Sequence, residues 1–151
     1  MTRSSSTTIN EFEEKHTDTV VAFWRASMEK AIGIPPTHSF ESQAYFLREI
    51  LPKSNMVYVA SDTRSGELIG FMATDGKTID QLYIHLEHQN KGAGSKLIEL
   101  AKKESAGTLQ LRTFEVNKNA QRFYEKHGFT ASDGDCDNEE GLQDMVYTWG
   151  I

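Results

Sequence analysis

The sequence predicts an α/β protein of the α+β kind, in which a mixed, mostly antiparallel central sheet is flanked by helices. Two β-branched and aromatic segments, residues 56–61 and 67–74, are separated by turn residues and therefore predict an antiparallel hairpin. Further along the chain, strand, helix and strand patterns follow one another, which favours parallel strands joined by a helix. A sheet with both kinds of connection is mixed and needs helices to cover its faces.

The segments before the hairpin predict one short strand and two helices. We expect a flexible start over residues 1–7 and a strand around residues 8–12. Apolar side chains recur at helical spacing after Asp18, a residue type that caps helix N-termini, until Gly33 and two prolines end the pattern. A second helical pattern begins after the cap residue Ser39 and stops at the last proline of the chain.

After the hairpin, strand and helix patterns alternate. Residues 79–86 predict a third strand, residues 92–104 a helix with one apolar stripe, and residues 108–114 a further strand. Residues 117–128 begin with an asparagine that can cap a helix and end with a glycine that can terminate it. Residues 142–149 predict the last strand.

Length, composition and charge limit the possible functions. The 151 residues, 38% of them hydrophobic and 25% charged, predict one folded domain over residues 1–151. The net charge of -6 argues against a general nucleic-acid or membrane-surface binder, because both need a basic surface, and it favours a cationic partner. Cys136 has no partner for an internal disulfide, and no signal-peptide pattern opens the chain, so we expect a cytoplasmic protein.

The stretch HQNKGAGSK, residues 88–96, has small residues where a predicted helix begins. The first N–H groups of a helix lack intrahelical partners and attract anions such as phosphate, and small residues leave the approach to them open. Lys91 and Lys96 would add positive charge beside a bound anion. Alternatively, the glycines form only a tight turn between strand and helix. The stretch is neither a G-x-G-x-x-G dinucleotide motif nor a P-loop.

Two motifs decide between these interpretations. Residues 89–94 fit the pattern Q/R-x-x-G-x-G/A, and residues 117–129 fit the pattern N-x-x-A-x-x-F-Y-E-K-x-G-F. With both motifs in this order and at this spacing, the chain resembles the GNAT superfamily of acyl-CoA-dependent N-acyltransferases. The resemblance extends from Thr8 to Trp149 and is weakest over residues 132–141.

The resemblance implies a GNAT-like fold in which a splayed parallel strand pair forms the cofactor site, with acetyl-CoA as the acyl donor. The main-chain N–H groups that would hold its diphosphate are those of Gln89, Asn90, Lys91, Gly92, Ala93, Gly94 and Ser95. The backbone of Leu82, Tyr83 and Ile84 would hold the acyl arm. Asn117 would contact the cofactor from the facing helix.

Acyl transfer to an amine needs a neutral amine, a polarised thioester carbonyl and a proton for the departing thiolate. The resemblance implies that Tyr124 is the general acid near the cofactor sulfur, although its apolar helix face also suits a tyrosine that only packs in the core. Some relatives carry a glutamate base where this chain has Thr78. We assign the base to Asp80, two residues along the same strand face. His85, which should fall on the other face, is the second candidate.

Two patterns resemble metal sites, and we assign no metal to either. The metal-capable side chains near the motifs are His85, His88, His127 and Cys136. They lack the usual spacing of zinc ligands. Residues 133–144 place acidic residues at several positions of an EF-hand loop, but Asn138 stands where that loop needs glycine. We therefore expect the acidic segment 133–140 to be a solvated loop.

The predicted function is an N-acetyltransferase that transfers the acetyl group of acetyl-CoA directly to a primary amine of a small molecule or peptide. The negative charge of the chain favours a cationic acceptor, and the family resemblance suggests a homodimer. Two alternatives remain: a non-catalytic acyl-CoA-binding module on the same fold, and a protein-interaction domain whose glycines form only a turn. The tyrosine retained within its whole motif favours the enzyme.

Overall fold

The computed structural model describes residues 6–150, so residues 1–5 of the expected flexible start lie outside the described part. Within it, strands and α-helices follow one another in the order β1 (Thr7–Glu11), α1 (Thr17–Ile32), α2 (Phe40–Tyr45), β2 (Met56–Asp62), β3 (Leu68–Thr74), β4 (Ile79–Ile84), α3 (Ala93–Glu104), β5 (Thr108–Phe114), α4 (Lys118–Lys126), β6 (Thr130–Asp133) and β7 (Asp144–Gly150). No helix of residues 6–150 is long and apolar enough to cross a membrane.

The strands form two antiparallel sheets that meet at one point. One sheet has the order β1-β2-β3-β4, and the other has the order β5-β7-β6. Among the described residues, one parallel bridge joins the two sheets, between Thr78 and Gln110. The Gln110 N–H donates to the carbonyl of Lys77 at 2.9 Å. Beyond this point β4 and β5 separate, which confirms the predicted mixed, mostly antiparallel sheet with a splayed parallel pair.

The first helix is present, but its start differs from the prediction. A 3-10 turn over Glu14–His16 leads directly into α1, and the Thr17 hydroxyl donates to the carbonyl of Glu14 at 2.7 Å. Asp18 therefore lies inside the first turn of α1 and does not cap it. Gly33 ends α1 in the left-handed conformation, with φ 79°, as its residue type predicts.

The cap of the second helix is confirmed. The Ser39 hydroxyl accepts a hydrogen bond from the N–H of Ser42 at 3.1 Å at the start of α2. The α-helix itself is short, and the chain continues through a π turn over Phe46–Ile50 and a 3-10 turn over Leu51–Lys53. The second of these turns contains the proline that was predicted to stop the helix.

Two differences concern the strands. The strand predicted over residues 79–86 ends at Ile84, because Leu86–His88 forms a 3-10 turn. The short edge strand β6 was not predicted. Its four residues, TASD, are all exposed and lack the apolar alternation that marks a strand, so its pairing with β7 depends on the tertiary structure.

Two apolar clusters cover the two faces of the β1–β4 sheet and hold β4 in place. On one face, α1 and the segment around α2 pack on the sheet. On the other face, α3 packs with β5, β7 and α4. Most of β3 is buried because both clusters contact it. β4 therefore lies between α1 and α3, with the edge opposite β3 directed toward β5.

Candidate active site

The gap between β4 and β5 is shaped by a bulge in β4. Thr74 pairs with Ile79 and Ala73 pairs with Gln81, so that Asp80 has no opposite residue. A bulge increases the local twist and redirects side chains. Asp80 and Gln81 consequently both line a cavity on the α1 side of the sheet, whereas Ile79 is buried in the cluster under α3.

The edge of β4 that faces β5 carries unpaired backbone groups. The His85 N–H donates to the carbonyl of Ile69 at 2.7 Å. Bonded and non-bonded pairs alternate along an antiparallel ladder, so the backbone of Tyr83 also pairs with β3. The backbone groups of Leu82 and Ile84 point the other way, toward the gap. Of the three residues predicted to hold the acyl arm, these two present their backbone to the gap.

The carbonyl of Ile84 is already engaged at the end of this edge. It accepts hydrogen bonds from the hydroxyl of Ser27 in α1, at 2.8 Å, and from the side-chain amide of Gln89, at 3.1 Å. The side chain of Gln89 therefore connects the glycine-rich stretch to β4, and only the backbone of Gln89 is left for the predicted cofactor contact.

The start of α3 presents open backbone N–H groups near the end of β4. Its N-cap is Gly92, in the left-handed conformation with φ 97°, and no side chain caps the helix. The starts of α2 and α4, in contrast, are capped by the side chains of Ser39 and Asn117. A Cβ atom added at Gly92 would meet no atom within 4 Å. The uncapped helix start therefore fits a bound anion such as a diphosphate.

Two residues of the glycine-rich stretch make contacts that the sequence did not predict. A Cβ atom at Gly94 would lie 3.1 Å from the ring of Phe123 and 3.8 Å from Ile84, so this glycine lets α3 pack closely against α4. The Lys96 ammonium donates to the carbonyl of Thr7 at 3.0 Å, which directs its charge toward β1.

A serine–histidine contact joins the start of α3 to the end of α4. The Ser95 hydroxyl and Nε2 of His127 are 3.0 Å apart, and the Lys102 ammonium donates to the His127 carbonyl at 2.6 Å. Burial and the nearby Lys102 lower the pKa of His127, so the imidazole is neutral at physiological pH. The first turn of α3 is thereby fixed relative to α4.

A cavity of about 510 Å³ lies on the opposite side of β4. It is enclosed by α1, by the segment from residue 34 to residue 46, by β4 and β5, and by the loop before β7. The aromatic side chains that line it are Trp24, Phe46, Tyr83 and Phe114. Sequence reasoning missed Trp24 and Phe46, because only the folded chain brings α1 and α2 next to β4.

Charged residues of both signs line the cavity, but several are paired. Arg112 donates to both carboxylate oxygens of Asp144, at 3.0 and 3.2 Å, and His38 lies 2.7 Å from Glu139. The cavity-lining carboxylates without an ion-pair partner among residues 6–150 are those of Glu29, Asp80 and Glu140. The unpaired charge inside the cavity is therefore predominantly negative.

Tyr124, on α4, belongs to the apolar cluster on the α3 side of the sheet. It is 7% exposed, and burial, followed by the neighbouring Tyr83, raises the pKa of its hydroxyl strongly. The hydroxyl remains protonated at neutral pH and makes no hydrogen bond within the described chain. Asn117 caps α4 through Oδ1, 3.2 Å from the Ala120 N–H, and lines a small cavity together with Tyr83.

The two candidate bases occupy different positions. Asp80 lines the cavity, and partial burial, followed by the charge of Asp75, raises the pKa of its carboxyl. His85 lies outside the cavity lining: its ring packs 6.0 Å from that of Phe23, and its Nδ1 accepts from the Glu87 N–H. The prediction that His85 falls on the opposite strand face from Asp80 is wrong, because the bulge at Asp80 shifts the alternation and turns His85 toward Phe23 of α1.

The acidic segment before β7 is held by hydrogen bonds among its own residues and to Asp144. Asp144 contacts Arg112 and accepts from the N–H of Asp135, while the side chain of Asn138 bonds both the N–H and the carbonyl of Leu142. Within residues 6–150, no three His, Cys, Asp or Glu side chains are grouped so as to hold a metal ion. The loop instead contributes Glu139 and Glu140 to the cavity.

Comparisons with known proteins agree with this architecture. The model of the acetyltransferase (GNAT) domain matches residues 53–131. The chain is 31% identical over 116 residues, 73% of its length and 74% of the relative's, to the peptidyl-lysine N-acetyltransferase YjaB of Salmonella typhimurium strain LT2.

Solved structures share the fold. The apo-form of YjaB from Escherichia coli superposes with a TM-score of 0.74 at 23% identity, with 95% of each chain covered. The yncA protein of Salmonella typhimurium, solved with its cofactor acetyl-CoA, superposes with a TM-score of 0.66 at 20% identity, covering 95% of this chain and 93% of that one. The chain therefore belongs to the GNAT family and is an acetyltransferase.

Proposed function

We propose that the protein transfers the acetyl group of acetyl-CoA directly to a primary amine carried by a peptide or a small cationic molecule. The observation that carries this proposal is the β4–β5 gap, which has an uncapped helix start on one side and an acidic, aromatic cavity on the other. The first suits the anionic donor, and the second suits an amine. The two reactants can therefore meet at the gap from opposite sides.

The relatives support both halves of the proposal. The name of YjaB states that it acts on peptidyl-lysine, and yncA is described with acetyl-CoA as its cofactor. A lysine side chain consists of an apolar stem and an ammonium group. The aromatic cavity wall can pack against such a stem. The unpaired carboxylates can attract the ammonium group before it loses a proton and becomes the neutral amine that reacts. A lysine of a peptide is the acceptor that best fits these features.

The donor contacts follow from the backbone. The N–H groups from Gln89 to Ser95, at the open start of α3, are assigned to the diphosphate. Leu82 and Ile84 are assigned to the arm that passes through the gap, and Asn117 to a contact from α4. Bound acetyl-CoA supplies the activated thioester, and these residues orient it.

Two side chains are assigned to proton transfer. Tyr124 keeps its proton at neutral pH and can donate it to the departing thiolate. Asp80, whose raised pKa makes it a better base than an ordinary aspartate, can accept the proton released by the amine, either directly or through water. Because the pKa of Asp80 is raised, its carboxylate takes up a proton at a higher pH than an ordinary aspartate does. As the pH falls, the base is therefore lost earlier.

The test of this function is a thiol-release assay with acetyl-CoA and a panel of amines that includes peptides with a free lysine, polyamines, aminosugars and amino acids. We expect turnover with at least one cationic amine and acetyl transfer to its nitrogen, verified by mass spectrometry. Acetyl-CoA binding by calorimetry without turnover of any amine would instead identify a non-catalytic binding module. Absence of CoA binding would contradict both.

The open helix start is tested by Gly92→Glu. The new carboxylate lies where the anion is expected and repels it, so CoA affinity should fall by about tenfold or more. Gly66→Glu is the matched control, because Gly66 also has positive φ and no atom within 4 Å of an added Cβ, but lies in the β2–β3 turn. Both variants incur similar backbone strain. If calorimetry gave the two folded variants equal CoA affinity, the assignment of the diphosphate to the start of α3 would be wrong.

Tyr124→Phe tests the general acid. The variant keeps the ring that packs against Phe129 and Tyr147 and removes only the hydroxyl. We expect turnover to fall on the order of a hundredfold, with CoA affinity nearly unchanged. The measurement is single-turnover acetyl transfer, which isolates the chemical step. A variant with the parental single-turnover rate would assign Tyr124 to core packing alone.

The acidic cavity predicts how the acceptor is recognised. Glu29→Gln and Glu140→Gln should each raise the KM of a cationic amine a few-fold, because each removes one unpaired charge, while kcat changes little. Added salt should raise the KM of the parent protein, and it should raise the KM less in a variant that carries both changes. Glu99→Gln, at an exposed position of α3, serves as the control. A KM that is insensitive to salt and to both changes would contradict electrostatic recognition.

A further inference from the structure

The side chain of Tyr83 occupies a central position that its strand motif does not explain. The backbone of Tyr83 pairs with β3 and is part of the sheet. Its side chain lines both the large cavity and the small cavity beside Asn117. The ring is stacked on Phe71, with centroids 6.1 Å apart and an interplanar angle of 19°, and lies 6.0 Å from the ring of Trp24. These contacts fix the direction of the hydroxyl.

A buried donor lies beside this hydroxyl. The indole Nε1 of Trp24 is buried and has no hydrogen-bond partner in the described residues, although Trp24 is only 5% exposed. An unpaired buried N–H is unfavourable, and this one lies beside Tyr83. The indole is close enough to Tyr83 to oppose the effect of burial on the pKa of its hydroxyl, yet the two do not meet hydrogen-bond geometry.

Carboxylates also line the cavity that Tyr83 borders. Burial, with smaller contributions from Glu140 and Asp80, raises the pKa of Tyr83 to about 12, although part of its surface faces the open cavity. Tyr83 in turn raises the pKa of Tyr124, so the two side chains are neighbours. A hydroxyl has one proton to donate and two lone pairs. Asp80 and Glu140 line the same cavity as Tyr83, so its hydroxyl can direct its proton toward a carboxylate and leave a lone pair for an N–H donor.

The geometry points to Tyr83 as a further catalytic residue, whose hydroxyl oxygen accepts a hydrogen bond from the acceptor amine and directs the nitrogen lone pair toward the thioester carbonyl. This inference rests on the proposed function. The nitrogen lone pair forms the new C–N bond and the C–S bond breaks, leaving its electron pair on sulfur. Sulfur takes the proton of Tyr124, one N–H proton passes to Asp80, and Tyr83 keeps its own proton throughout.

The test compares Tyr83→Phe with Tyr45→Phe. The first removes the hydroxyl and keeps the ring stacked on Phe71; the second removes a hydroxyl from a side chain that is 54% exposed on α2. Three quantities are measured: the Kd of CoA, the Kd of the amine for the protein saturated with CoA, where no transfer occurs, and single-turnover acetyl transfer. The amine is the best acceptor found in the thiol-release panel, with a lysine blocked at its α-amino and carboxyl groups as reference.

For Tyr83→Phe we expect the amine Kd to rise about threefold to tenfold, the loss of one hydrogen bond, with a larger fall in the transfer rate and an unchanged Kd for CoA. Tyr45→Phe should match the parent in all three. Parental amine affinity and transfer rate in Tyr83→Phe would overturn the assignment while leaving the proposed function intact, as would a loss confined to CoA affinity. A parent protein that acetylates no amine would overturn both.

Discussion

The separation of β4 from β5 is the constraint on which the site depends. The bridge between Thr78 and Gln110 fixes where the strands meet, and the bulge at Asp80 follows at once. Beyond it, the backbone groups of Leu82 and the N–H of Ile84 have no partner strand, whereas the Ile84 carbonyl already accepts from Ser27 and Gln89. Backbone N–H and C=O groups need hydrogen bonds wherever water is excluded, so this edge is prepared for a ligand that runs along it. An extended, amide-containing acyl arm meets that requirement.

The gap also separates two electrostatic environments. On the α3 side, an uncapped helix start presents backbone N–H groups to an anion. On the α1 side, unpaired carboxylates and aromatic rings surround a cavity suited to a cation. The hydroxyls of Tyr83, which borders the cavity, and of the neighbouring Tyr124 both stay protonated at neutral pH. In the proposed reaction, the phosphates of acetyl-CoA would lie on the α3 side and the amine would enter from the α1 side.

Features that depend on local chemistry could be predicted from the sequence, and features that depend on tertiary packing could not. Ser39 and Gly33 act as predicted because a cap needs only its own turn. The role of Gly94 could not be inferred in this way, since it is set by the ring of Phe123 on another helix. The bulge at Asp80 changed the face assigned to His85, because a strict alternation assumes an uninterrupted strand.

The central claim, that one gap receives the donor between β4 and β5, is tested most directly by backbone amide NMR of the protein titrated with CoA. We expect the largest shifts, and new protection from hydrogen exchange, at the amides of Leu82 and Ile84 and of Ala93 to Ser95. The amides of β1 and β6, at the outer sheet edges, should change little. Saturation with CoA that left the β4 and α3 amides unchanged, or that shifted only amides elsewhere, would contradict this account.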